Sequence, residues 1–72
     1  MQRFNGHNLR AARKTANLKK EHLAIIVGRS SEAINLYECG HRRPPTAILE
    51  RLAAACGVSV AAFFDETDKV PA

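Results

Sequence analysis

Chain breakers decide what this chain can become. Gly28, Gly40, the pair Pro44-Pro45 and Gly57 cut it into short pieces, and the apolar residues within each piece recur at helical rather than strand spacing. Leu9, Ala12 and Ala16 form one stripe over residues 7–16. Leu23, Ala24 and Val27 form a second over residues 19–27, where Gly28 is placed to stop the helix. Ser30 is a suitable N-cap for a third helix, with Ile34 and Tyr37 on its inner face and Gly40 at its end.

Pro44-Pro45 forbids helix, and Thr46 offers a cap for the next one. Ile48, Leu49, Leu52, Ala53 and Cys56 then follow the spacing of an amphipathic helix that Gly57 terminates. Ser59 is positioned to cap a short fifth helix presenting Val60, Phe63 or Phe64 to the core. The expectation is an all-α, compact five-helix domain spanning residues 1–72, with its core in 8–65. A short N-terminal tail precedes the core, and the acidic segment DETDKVPA follows it as a frayed tail. Trp is absent and Phe and Tyr total four, so aliphatic side chains and Ala must fill the interior. A chain of 72 residues buries only roughly 60% of its unfolded surface, so this core is small.

Charge is unevenly spread. Residues 1–43 carry nine Lys or Arg against three acids, whereas residues 44–72 carry two against four. A basic first half implies a polyanionic partner, nucleic acid or an anionic surface. No apolar run approaches the ~18–20 residues of a membrane span, and the first residues hold no apolar leader. Two cysteines, Cys39 and Cys56, are too few for a disulfide framework, so the chain is expected to be cytoplasmic with reduced thiols.

The segment GRSSEAINLYECGHRRPPT poses the functional question, because it mixes possible metal ligands with possible phosphate ligands. Structural zinc takes four ligands, commonly from Cys-x2-Cys or His-x3–5-His pairs, and neither spacing occurs here. Cys39-Gly40-His41 therefore reads as incidental, and no metal or cofactor is expected. Enzymatic chemistry is equally unpromising, with no Gly-rich phosphate loop, carboxylate pair or activated nucleophile in the sequence.

What remains is a pair of short helices joined by Gly28-Arg29-Ser30, the spacing of a helix-turn-helix. LKKEHLAIIVGRSSEAINLYECG resembles the helix-turn-helix of the lambda-repressor-like (Cro-type, xenobiotic-response-element) DNA-binding domains. The likeness is carried by Leu18, Glu21, Leu23-Ala24, Gly28, Ser30, Ile34, Tyr37-Glu38 and Gly40. It extends to LRAAR before this segment and to PPTAILERLAAACGVSVAAFF after it, covering roughly residues 8–65.

On a wheel of ~100° per residue, Ile34, Tyr37, Ala33 and Ser30 face inward. Ser31, Glu32, Asn35, Leu36 and Cys39 face outward. The resemblance implies that this outward face enters the major groove of double-stranded DNA. Ser31, Glu32 and Leu36 match the family's base-reading positions, with Asn35 beside them. Ser31 can donate or accept, and Asn35 can pair with adenine. Glu32 can accept from cytosine N4, and Leu36 can touch a thymine methyl. The face holds no Arg, Lys or Gln.

Phosphate contacts are expected from Lys19 and Lys20 at the start of helix two, Arg29 in the turn, and Arg42 and Arg43 after helix three. The family commonly has Ser and Gln where this chain has Lys19 and Lys20. Asn17 is therefore expected to substitute as cap, and Lys20 to favour the DNA backbone while losing a base-orienting hydrogen bond. Arg13 and Glu38 match an inter-helix ion pair of the family, a structural role. The resemblance thus implies a small transcriptional regulator acting as a homodimer on a two-fold operator. The alternative is a protein-interaction module on the same fold, since Ile25, read as exposed, and Leu36 can form an apolar patch for a partner.

Overall fold

The computed structural model describes residues 2–66. The element order is β1 (Gln2–Phe4), α1 (Gly6–Thr15), α2 (Lys20–Val27), α3 (Ser31–Cys39), α4 (Thr46–Cys56), a 3-10 turn (Val60–Phe63) and β2 (Phe64–Glu66). The apolar stripes anticipated in the sequence converge on one core. Leu9, Leu23, Val27, Ile34, Leu52 and Phe63 are wholly enclosed, and Ala24, Tyr37, Ile48, Leu49 and Ala53 complete it. Ala12, Leu18, Ala33, Cys56, Val60 and Phe64 pack half-buried around this centre.

Two expectations about the ends of the core need correction. The fifth helix is a single 3-10 turn, in which the Ala62 N–H donates to the Ser59 carbonyl at 3.0 Å and the Ser59 side chain caps nothing. Beyond it Phe64–Glu66 is extended, so the first two residues of the acidic segment are paired rather than frayed: β2 runs antiparallel to β1, Gln2 opposite Glu66, Arg3 opposite Asp65 and Phe4 opposite Phe64. The physical reason is aromatic. Phe4 meets Phe63 and Phe64 edge-on, with ring centroids 6.5 and 5.9 Å away, and Asn5 N–H donates to the Phe63 carbonyl at 2.7 Å. The remainder of the acidic segment lies outside the described residues.

Asn5 joins this small sheet to α1. Its side-chain oxygen accepts from the His7 N–H at 2.8 Å, capping the helix, while its amide nitrogen donates to the Asp65 carboxylate. Asn8 donates to the same carboxylate at 3.0 Å. These two bonds hold the Asp65 carboxyl below its usual pKa, against a small opposing effect of burial. Gly6 follows at a point of close approach: a β-carbon there would overlap the carbonyl oxygens of Tyr37 and Glu38 at the end of α3.

Caps elsewhere follow or adjust the expectation by small amounts. Ser30 caps α3 by accepting from the Ala33 N–H at 3.1 Å. Thr46 is the first helical residue of α4 rather than its cap, a position taken by Pro45. Asn17 does not cap α2; it adopts a left-handed φ of 61°, and Lys19 occupies the cap position with no side-chain hydrogen bond.

Candidate nucleic-acid interface

α2 and α3 are joined by a turn of three residues. Gly28 takes φ 75°, a left-handed conformation that favours glycine, and its N–H and that of Arg29 close the end of α2 onto Ala24 and Ile25 carbonyls. Arg51 of α4 adds a bond from its guanidinium to the Val27 carbonyl at 3.4 Å. The turn is therefore tied to the core from both sides.

The orientation of α3 is fixed by a buried ion pair. Arg13 on α1 and Glu38 on α3 meet with Nε–Oε2 at 2.6 Å, a second bond at 3.3 Å, and only 7% and 5% exposure. Arg13 also donates to the Leu18 carbonyl at 2.8 Å, so one guanidinium holds α1, α3 and the approach to α2 together. No described buried polar side-chain atom lacks a hydrogen-bond partner.

The opposite face of α3 is open. Ser31, Glu32, Asn35 and Cys39 are exposed as the wheel required, while Ile34 and Tyr37 are buried. Leu36 differs from the expectation of an open apolar residue, because it is half-buried. The chain turns back at this residue, with the His41 and Arg42 N–H groups donating to the Leu36 carbonyl at 3.0 and 3.3 Å. The large apolar side chains that α2 leaves in solvent are Ile25, 78% exposed, and Ile26, 55% exposed.

The basic residues flank this face. Lys19, Arg29 and Arg42 are exposed. Arg43 is also exposed, and its guanidinium stands over the Phe64 ring, 5.4 Å from the centroid, which gives it a defined position rather than a free one. Lys20 departs from expectation: its Nζ donates to Asn35 Oδ1 at 2.9 Å, so it makes an orienting side-chain bond across α2 and α3 after all. A groove of about 170 Å³ opens beside this bond, lined by His7, Arg10, Lys20, Asn35, Glu38 and Cys39. Arg10 was not singled out from the sequence. The available signal was that α1 carries Arg10, Arg13 and Lys14, of which the buried ion pair uses only Arg13.

Among the described residues no group of three or more His, Cys, Asp or Glu is placed to hold a metal ion. Nor is any described helix long and apolar enough to cross a membrane. Burial pushes the Cys56 thiol pKa up, with Arg13 opposing and Glu38 reinforcing the shift.

A sequence model of the helix-turn-helix domain family matches residues 6–63, which includes α1 to α4 and the 3-10 turn. The chain belongs to this helix-turn-helix family. Among solved structures, the domain is similar to the P22 c2 repressor in complex with a synthetic operator, with 28% identity and TM-score 0.78, covering 85% of this chain and 92% of that one. It is also similar to the restriction-modification controller protein C.AhdI from Aeromonas hydrophila, with 27% identity and TM-score 0.76, covering 82% of this chain and 89% of that one. A likeness to cobalt-loaded HppE in complex with substrate, at 23% identity and TM-score 0.76, covers 83% of this chain and 34% of that one and shows the fold alone. No curated protein matches the chain. The helix-turn-helix domain is thus of the repressor type, and its described residues form four α-helices and a two-stranded sheet rather than five helices.

Proposed function

We propose that the chain is a transcriptional regulator that binds double-stranded DNA sequence-specifically, with the open face of α3 in the major groove. The observation that carries this reading is the contrast between the two faces of α3. One face is locked by the Arg13–Glu38 pair. The other presents Ser31, Glu32 and Asn35 to solvent between exposed basic residues. A rigid helix with a polar, solvent-facing side and cationic flanks suits groove insertion, where phosphate contacts set position and base-edge contacts set sequence.

In this reading Ser31, Glu32, Asn35 and the exposed part of Leu36 face bases. Lys19, Lys20, Arg29, Arg42 and Arg43 face phosphates, and Arg10 joins them from the groove beside Lys20. Two copies on a two-fold site place two α3 helices about one DNA turn apart, which compensates for the small reading surface of a single helix. The operator-bound P22 c2 repressor, with the same fold at 28% identity, supports this assignment.

A second reading, an interaction module that binds protein rather than DNA, is favoured by the exposure of Ile25 and Ile26 on α2. The two readings separate in a mutational test on a selected DNA site. Arg42→Ala and Arg29→Ala are expected to weaken binding equally for all sequences. Ser31→Ala and Glu32→Ala are expected to change which sequence is preferred. Identical effects of all four substitutions would contradict the division into anchors and readers. Loss of partner binding in Ile25→Ser with no DNA affinity in the unsubstituted protein would favour the second reading.

A further inference from the structure

Lys20 and Asn35 form a unit whose chemistry is narrower than that of either residue alone. Asparagine in a recognition helix ordinarily suits adenine, because its amide accepts from adenine N6–H and donates to N7 at once. That requires the amide oxygen to be free. Here Asn35 Oδ1 accepts from Lys20 Nζ at 2.9 Å, and the Cys39 thiol stands 3.9 Å from the same oxygen. The orientation of the amide follows from chemistry: an ammonium group only donates, so the atom it faces must be the oxygen.

What this unit turns outward is therefore all donor. Asn35 Nδ2 has two N–H groups that no described residue accepts from, and Lys20 Nζ has two remaining after the bond to Asn35. Asn35 is exposed on the open face of α3, and Lys20 borders the same groove. An adenine approaching this unit brings its N6 amino hydrogens against an oxygen already held by a cation. A cytosine brings its N4 amino donor to the same place. Thymine supplies one acceptor, O4. Guanine alone supplies two adjacent acceptors, N7 and O6, which match two adjacent donors.

We propose that Lys20 and Asn35 together select guanine, with one donor on N7 and the other on O6. This rests on the DNA-binding reading above, and moves Lys20 from a phosphate anchor to a specificity-determining residue. The pairing also explains how a recognition face without Arg, Lys or Gln obtains a guanine reader: the cation is supplied by α2 and the amide by α3.

The test is selection from a randomised duplex pool with the full chain, followed by affinity measurements on the selected site. One position per half-site is expected to prefer guanine by roughly 5–150-fold over the other bases. Replacing that guanine with 7-deazaguanine, which lacks the N7 acceptor, is expected to weaken binding by the unsubstituted protein. Lys20→Met frees the Asn35 oxygen and is expected to shift the preference at that position from guanine to adenine, leaving the other positions unchanged. Asn35 is exposed and Lys20 half-buried, and circular dichroism with thermal melting confirms that the variants fold. The proposal is overturned if adenine is selected by the unsubstituted protein at the position that Asn35→Ala alters. It is also overturned if Lys20→Met lowers affinity equally for all sequences, which leaves DNA binding intact with Lys20 on a phosphate. Absence of any DNA binding overturns this inference and the proposed function together.

Discussion

Arg13 on α1 and Glu38 on α3 are joined by a buried bidentate pair, at 2.6 and 3.3 Å, directly behind the open face of α3. Removing one partner leaves the other charge buried and uncompensated, which typically costs about 3–5 kcal/mol. Arg13→Met and Glu38→Gln are each expected to show a loss of that order in urea denaturation. The double variant is expected to lose less than the sum of the two. Additive losses would mean that the residues act separately.

Gly6 is predicted to be intolerant of even a methyl group, because its α-carbon lies against the backbone at the end of α3. Gly6→Ala is expected to destabilise the domain by about 1–3 kcal/mol through forced displacement of α1 from α3. A thermal melt unchanged from that of the unsubstituted chain would contradict this packing.

The Asp65 carboxylate gives the junction of β2 and α1 a pH dependence. Its folded pKa is lowered by the bonds from Asn5 and Asn8. Its stabilising contribution is thus fully present above the ordinary value of 3.8. It disappears as the pH falls through the lower folded value. Asp65→Asn is expected to flatten the acid limb of a stability-versus-pH curve without altering its shape near neutrality. An unchanged acid limb would show that other carboxylates account for it.

The two thiols are predicted to differ in reactivity. Cys39 is exposed on the open side of α3, whereas Cys56 is half-buried with its thiol pKa pushed up. Iodoacetamide is expected to modify Cys39 first in the native protein and both cysteines alike in denaturant. Modification at Cys39 places a new group beside Asn35 and is expected to weaken DNA binding.

Much of this was legible in the residues, for identifiable reasons. The helices of residues 20–56 announce themselves through repeated apolar spacing and glycine stops, and Ser30 caps α3 as its side chain suggests. The β1–β2 pairing was not legible, because three-residue strands show no period and their partners lie at opposite ends of the chain. Its signal, the cluster of Phe4, Phe63 and Phe64, emerges only when the ends meet. Leu36 is half-buried where a wheel of α3 alone places it outward, since a wheel describes one helix without its neighbours. The Lys20–Asn35 bond escaped for a related reason: it crosses between two helices, and spacing along either one carries no trace of it.

Binding to a randomised duplex DNA pool at 50 and 200 mM salt tests the central claim most directly. A dimer neutralising about 6–10 phosphates is expected to enrich a two-fold sequence and to lose about 10³–10⁵ in affinity between those concentrations. No enriched sequence and no salt-sensitive binding at either concentration would contradict the account.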